Sequence, residues 1–261
     1  MTEISFKEQT VDLETGRVTY LNGGSGRPLL HLHSAGGPRV SPAIEQLGKR
    51  HSIYMPTAPG YNGTPGHARI ASMVDLADLM AKFARGVIGS ACDVIGESFG
   101  GWVALWLAVR HPDLVEQLVL EAPAGLRTEG TGGLPADPAE RLRKLYAAPE
   151  RAPKETRSAA VLAENQRMRE RYTGGITLDP ALQEALPRVK ARTLIVFGTA
   201  DEVVPVETTR RLTAGIAQSH LSYIYGAAHA PEFDQPRRVA RLVGAFLERG
   251  EGFLVRRSEA G

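Results

Sequence analysis

One stretch constrains the fold more than any other: Asp93-Val94-Ile95-Gly96-Glu97-Ser98-Phe99-Gly100-Gly101. It opens as a short apolar strand and runs into the apolar stretch Trp102–Val109, long enough for a helix, with a serine at the joint. Gly96 and Gly100 flank Ser98 in the pattern G-x-S-x-G. A serine on so tight a strand-to-helix turn has strained backbone angles, and side chains at the flanking positions would crowd it. The turn lifts the hydroxyl clear of the sheet and points backbone N–H groups toward it at a helix start, where an anion is favoured. A chain built around this joint needs a sheet to carry the strand and helices to cover it.

The flanking sequence supplies both. Residues 4–22 read as two short strands joined at Glu14-Thr15-Gly16, and Pro28–His33 as a third followed by the loop Ser34–Pro38. Ser41-Pro42 begins a helix with Ile44 and Leu47 inward. Ser52–Met55 is the next strand, and a loop rich in glycine and proline, Pro56–Gly66, leaves it. Ser72 and Asp75 form a capping-box pattern ahead of Leu76, Leu79, Met80 and Phe83, which share one helical face, with Gly86 as the stop. Val115–Leu120 is a further strand. Strands and helices alternate to this point, the signature of a mostly parallel sheet with helices on both faces.

From about Arg127 to Arg188 the alternation stops and three helices are expected, at Ala139–Ala147, Lys154–Tyr172 and Ala181–Leu186. Val161, Met168 and Tyr172 share a face of the middle one, and the charged residues around it read as solvated surface. The alternation resumes with Thr193–Gly198, a helix from about Val206, the strand Leu221–Tyr225 and a last helix carrying Val239, Leu242, Val243 and Phe246. A frayed tail is expected from Gly250.

The serine needs a base, and the base needs an acid to hold it. Reactive groups in a parallel sheet collect at the carboxyl ends of the strands. Of seven histidines, His51 and His220 precede strands, His111 ends a helix and His31 lies inside a strand; the loop position of His67 is not set by its neighbours. His33 and His229 leave carboxyl ends, and His229 follows the small residues Gly226-Ala227-Ala228, which let a loop fold inward. His229 is the candidate base, and His33 is expected to hold the adjacent loop. Asp201 follows the strand ending at Phe197 and is the candidate acid, with Glu121 as runner-up; Glu202 and Asp234 read as surface or capping groups. The oxyanion requires backbone N–H donors, expected from Phe99 and from Ala35 or a neighbour in its loop.

With these residues in place the chain resembles the alpha/beta-hydrolase fold superfamily over about residues 20–248. The resemblance rests on Gly96–Gly101, on Gly198-Thr199-Ala200-Asp201, on Gly226-Ala227-Ala228-His229, and on the order serine, aspartate, histidine. It implies an α/β fold with an eight-stranded, mostly parallel sheet and a helical cap inserted after the sixth strand. Residues 1–126 and 189–261 would form the core and 127–188 the cap. Pro59-Gly60-Tyr61-Asn62-Gly63-Thr64 is similar to the family's P-G-x-G-x-S loop. His33-Ser34 departs from the usual His-Gly before the oxyanion loop. Serine in place of aspartate argues against the dehalogenase and epoxide-hydrolase branches. The carbon–carbon bond hydrolases also use a serine triad, but the tryptophan that follows their base is replaced by Ala230.

The expected activity is therefore cofactor-free serine hydrolysis of a small ester, lactone or thioester. Carbon–carbon cleavage of a diketone-like compound and a small-molecule receptor built on the same fold are the alternatives. Composition narrows the partners. A 261-residue chain, 43% hydrophobic with net charge +2, can bury a large core and has no dense basic block for nucleic acid. No apolar run reaches about 18 residues, so no membrane partner is expected, and the first residues have no secretory pattern. Cys92 is the single cysteine, which excludes an internal disulfide and fits a cytoplasmic setting. No cysteine–histidine cluster has metal spacing, so no metal is expected.

Overall fold

Eight strands join in one sheet across residues 4–253, the part of the chain that the computed structural model describes. In chain order the elements are β1 (Phe6–Leu13), β2 (Gly16–Gly24), β3 (Arg27–Leu32), α1 (Pro42–Leu47), β4 (His51–Pro56), α2 (Met73–Phe83), β5 (Cys92–Glu97), α3 (Phe99–Arg110) and β6 (Val115–Glu121). Three helices follow, α4 (Pro138–Leu145), α5 (Ala159–Thr173) and α6 (Pro180–Ala185). The chain then returns through β7 (Arg192–Gly198), α7 (Glu207–Gly215), β8 (Ser219–Ile224), α8 (Pro231–Asp234) and α9 (Pro236–Arg249).

The sheet order is β1-β2-β4-β3-β5-β6-β7-β8. β1 pairs with β2 and β2 with β4 in antiparallel fashion, and every later pair is parallel. β5 lies near the middle and is buried along its whole length, as expected of a parallel strand covered on both faces. Alternation along it sends Val94 into one core, with α2 and α3, and Ile95 into the other, with α1 and α9. The mostly parallel sheet with an inserted helical region between β6 and β7 is thus the architecture expected from the alternation.

Several local expectations shift. Asp75 accepts from the Ala71 N–H rather than reaching back to Ser72, whose own hydroxyl caps Asp75. α2 does not stop at Gly86; a wider π-turn carries it through Ile88 to Gly89, whose φ of +79° is the left-handed stop. α5 begins at Ala159, capped by Ser158, five residues after the expected start. On its inner face Met168 and Tyr172 are buried, Val161 is half-buried, and Asn165 fills the turn between them. β8 begins at Ser219, so His220 is inside it, and Tyr225 lies beyond its end and is exposed. Gly250–Phe253 form one short turn, and the remainder of the expected frayed tail lies outside the described residues.

Candidate active site

The joint between β5 and α3 is held in a conformation that few residues adopt. Ser98 has φ +48° and ψ −108°. The surrounding glycines are dictated by space: a Cβ on Gly96 would lie 2.6 Å from the Gly100 carbonyl, and one on Gly100 would run into the Leu32 carbonyl of β3. The strand next door stabilises the turn. The Ser98 N–H donates to the Glu121 carbonyl at 2.9 Å, and the Ala124 N–H donates back to the Ser98 carbonyl at 2.9 Å. Ala122, between them, also has positive φ, at +42°. Backbone strain of this kind, here at the carboxyl ends of the neighbouring central strands β5 and β6, clusters at functional sites.

The structure brings Ser98, His229 and Asp201 together from three strand ends. The Ser98 hydroxyl lies 3.0 Å from His229 Nε2, and His229 Nδ1 lies 3.0 Å from Asp201 Oδ2. The other oxygen, Asp201 Oδ1, accepts the N–H groups of Val203 and Val204 at 2.8 and 3.0 Å. With its carboxylate so engaged, Asp201 is an acceptor toward the ring, which sets Nδ1 as the donor and leaves Nε2 to accept the serine proton. The His229 and Asp201 side chains are 7% and 2% exposed, so the pair is shielded from water. Glu202 is exposed, as expected for a surface group.

His33 is fixed in a different way. The Ala58 N–H donates to its Nε2 at 3.0 Å, so Nδ1 carries the proton and donates to the Ser34 carbonyl at 2.7 Å. Both nitrogens are occupied, and burial holds the ring neutral, with its pKa down at about 4. The ring thereby anchors the turn Ser34–Gly37, closed by the Gly37 N–H to Ser34 carbonyl bond at 3.0 Å. Ala35 occupies this turn. Phe99 is the first residue of α3, so its N–H has no partner one turn earlier in the helix.

The inserted helical region reaches the site through polar contacts that residue type alone does not reveal. Arg157 donates to the Gly36 carbonyl and, at 3.1 Å, to Asn62 Oδ1. Asn165 exchanges two hydrogen bonds with Asn62, at 2.8 and 3.1 Å, and Tyr172 donates to the Pro59 carbonyl at 2.6 Å. Asn62, at φ +51°, is held by them. Asp234, expected to be a surface or capping group, is buried; it accepts from Ala228 next to His229 at 2.8 Å and from Ala147 and Ala148 of the inserted region at 3.0 and 3.3 Å. The periodicity of α5 carried a signal for Asn165, one turn after Val161; nothing in the sequence announced Asp234.

Glu121, the runner-up acid, is not bonded to His229. Register places it beside Glu97 on β5, and both meet Glu232 of α8. Oxygens of the three carboxylates lie within 4.8 Å of one another, and Glu121 and Glu232 share a side-chain hydrogen bond. His31 Nε2 lies 2.7 Å from Glu97. Burial, and next the charge of Glu97, push the Glu121 pKa up to about 8; burial raises Glu232 well above the ordinary value.

Residues 20–242 match the model of the Alpha/beta hydrolase family, and the chain belongs to that family. It is 28% identical over 272 residues to a 2-hydroxymuconate semialdehyde hydrolase of Pseudomonas sp. (strain CF600), covering 92% of this chain and 93% of that protein. It is 27% identical over 242 residues to a pimeloyl-[acyl-carrier protein] methyl ester esterase of Salmonella heidelberg (strain SL476), covering 84% and 92%. Among solved structures, a meta-cleavage product hydrolase from Pseudomonas fluorescens IP01 shares the fold with a TM-score of 0.76 at 20% identity, covering 92% of this chain and 97% of that one. The fold and the family are those of the alpha/beta hydrolases. No helix among the described residues is long and apolar enough to cross a membrane.

Proposed function

We propose that the chain hydrolyses a carbon–carbon bond next to a carbonyl in a small diketone-like acid, through an acyl-enzyme on Ser98. The observation that carries the reaction type is the imidazole of His229 bonded on one side to Asp201 and on the other to Ser98, each at 3.0 Å. Ser98 Oγ attacks the carbonyl carbon as its proton passes to His229 Nε2. Asp201 orients the ring and stabilises the imidazolium. The oxyanion sits between the N–H groups of Phe99 and Ala35. When the tetrahedral adduct collapses, the bond to the leaving carbon breaks and its electron pair is delocalised onto the second carbonyl. That fragment takes the proton from His229. Water, deprotonated by the same ring, then releases the acid and restores Ser98.

The choice of bond is supported by relatives whose names specify 2-hydroxymuconate semialdehyde and 2-hydroxy-6-oxo-2,4-heptadienoate hydrolases, matched over more than nine-tenths of this chain. It replaces the expectation of a simple ester, lactone or thioester. An ester remains the second reading on one specific observation: Ala230 follows the base where the carbon–carbon branch carries tryptophan. Both reactions pass through the same acyl-enzyme and differ only in the leaving group. The test is to compare turnover of 2-hydroxymuconate semialdehyde and 2-hydroxy-6-oxo-2,4-heptadienoate with that of a series of methyl esters. A kcat/KM at least tenfold higher for a dienoate supports carbon–carbon cleavage. Preference for the esters rejects it, and loss of both activities in Ser98→Ala ties either one to this serine.

A further inference from the structure

Four buried titratable groups have no part in that scheme. Alternation along the strands puts His31 of β3, Glu97 of β5 and Glu121 of β6 on the sheet face that carries Leu29, Ile95 and Val119, positions that are otherwise apolar core. Glu232 meets them from α8. All four are at most 9% exposed. Glu121 Oε2 and His31 Nδ1 have no hydrogen-bond partner, so the group is not saturated by the surrounding protein. His31 pairs with Glu97, and Tyr146 lies within range of the charges of Glu232, Arg39, Glu97 and Asp234, the last residue of α8.

Each glutamate is attached to a part of the proposed reaction centre. Glu97 immediately precedes Ser98. The Glu121 carbonyl accepts the Ser98 N–H. Glu232 lies three residues after His229. Three ionised carboxylates cannot share so small a buried volume, whereas carboxyl groups that retain protons attract one another through hydrogen bonds.

We propose that Glu97, Glu121 and Glu232, with His31, form a proton-sharing clasp that holds the serine turn to the histidine loop, and that Glu121 and Glu232 are positioning residues whose ionisation uncouples Ser98 from His229. The inference rests on the assignment of Ser98 and His229 above. Below about pH 8 Glu121 retains its proton and the clasp is closed. Above that, adjacent negative charges separate β6 from α8 and move the base away from the serine. The Tyr146 hydroxyl, pushed up to about 12, titrates too late to account for such a loss.

The experiment measures the rate at which a fluorophosphonate labels Ser98 in the full chain between about pH 5 and pH 10. In wild type the rate falls above about pH 8. Glu121→Gln and Glu232→Gln, which keep a hydrogen-bonding amide but cannot ionise, move that fall up by about one pH unit or more. Glu121→Ala lowers labelling about tenfold across the range, and Gln at the same position restores it. Circular dichroism at each pH separates loss of alignment from unfolding. Gln variants with the wild-type alkaline limb, or a wild type with no such limb, overturn the clasp. Loss of wild-type labelling on chelation overturns it too, in favour of a bound cation. Absence of Ser98 labelling at every pH overturns the assignment of Ser98, and the clasp with it, an outcome distinct from the others.

Discussion

Two groups of buried carboxylates in the molecule are treated in opposite ways. In one, Asp201, Asp234 and Asp179 are each surrounded by donors. Asp201 takes two backbone N–H groups and the His229 ring, and Asp234 takes three backbone N–H groups. Asp179 takes the indole N–H groups of Trp102 and Trp106 and the Leu182 N–H. In the other, Glu97, Glu121 and Glu232 face one another. Burial is similar in both regions, but the supply of donors is not: a carboxylate that accepts three N–H bonds recovers much of its lost hydration, whereas Glu121, facing other carboxylates, has its pKa pushed up by burial and by the charge of Glu97. On the proposed assignment, Asp201 at the end of β7 has the donors that hold a carboxylate toward the His229 ring, and Glu121 at the end of β6 does not.

The largest effects test that distinction through chemistry. Ser98→Ala should lower kcat by about 10⁴-fold or more, and adding His229→Ala should lower it little further, because the groups act as a unit. Asp201→Asn keeps the side-chain shape but offers the ring an unsuitable partner, and should lower kcat by about 10³ to 10⁴-fold. Glu121→Gln, assayed near pH 7, should lose far less. A dead Glu121→Gln beside a healthy Asp201→Asn would reverse the assignment of the acid.

The next effect is on stability. The Glu121 pKa lies at about 8 against the ordinary 4.5, and Glu232 is raised as well. A raised pKa means that the folded chain holds protons the unfolded chain has released. The stabilisation is therefore complete below about pH 4.5 and is lost as pH rises through the folded value. Each such proton contributes a slope of about 1.4 kcal/mol per pH unit in the window between. Urea unfolding midpoints from pH 5 to 8 should fall in wild type and fall less steeply in Glu121→Gln. Equal slopes in the two proteins would show that Glu121 is not the proton holder.

These two regions also differ in how much of them could be read from the sequence. Ser98, Asp201 and His229 each end a locally recognisable strand, and a local pattern of glycines and small residues marks each one. The sheet followed for the same reason, since alternating apolar runs carry their own periodicity. The glutamate cluster has no local mark. Its members are drawn together by register between β5 and β6 and by the docking of α8, which only the assembled fold specifies. Glu121 was legible as a carboxylate at a strand end but not as the neighbour of two others. Asp234 was hidden likewise, because its partners include backbone groups far away in the chain, and the periodicity of α5 marked Asn165 but not its partner Asn62. The stop of α2 was missed because a π-turn passes Gly86 without needing its flexibility.

Asp234 offers a smaller test of the donor side. Its carboxylate joins Ala228, beside His229, to Ala147 and Ala148, and the Ala230 N–H donates to the Leu145 carbonyl at 3.0 Å in parallel. Asp234→Ala leaves three N–H groups without their acceptor and should destabilise the chain by about 2–4 kcal/mol. Because the inserted region and the histidine loop share this latch, kcat should fall with it, by about tenfold. Unchanged stability with unchanged kcat would mean that water replaces the carboxylate readily and that donors at this carboxylate matter less than the comparison holds.

Asp179 gives the smallest expected effect and the most direct optical readout. It precedes α6 at the point where the inserted region returns to the core, and its Oδ2 accepts both indole N–H groups, at 3.0 and 2.9 Å. Trp102 and Trp106 are the two tryptophans of the chain, so all indole emission reports on this one carboxylate. They lie one turn apart on α3, the helix that Ser98 begins, and both are buried. Asp179 Oδ1 meanwhile caps α6 through the Leu182 N–H at 3.0 Å. Asn keeps one acceptor oxygen and presents an amide donor where the second oxygen was, so it can serve the indoles or the helix cap but not both. Asp179→Asn should therefore destabilise the protein by about 1–2 kcal/mol. Emission should change in wavelength or intensity under native conditions, while kcat should fall by less than about threefold, since the serine turn is held from β6. A native emission spectrum and thermal midpoint identical to wild type would show that the paired indoles do not depend on a charged acceptor. A large loss of kcat would show instead that the return of the inserted region is coupled to Ser98 through α3, which would place Asp179 with Asp234 among the groups that align the reaction centre.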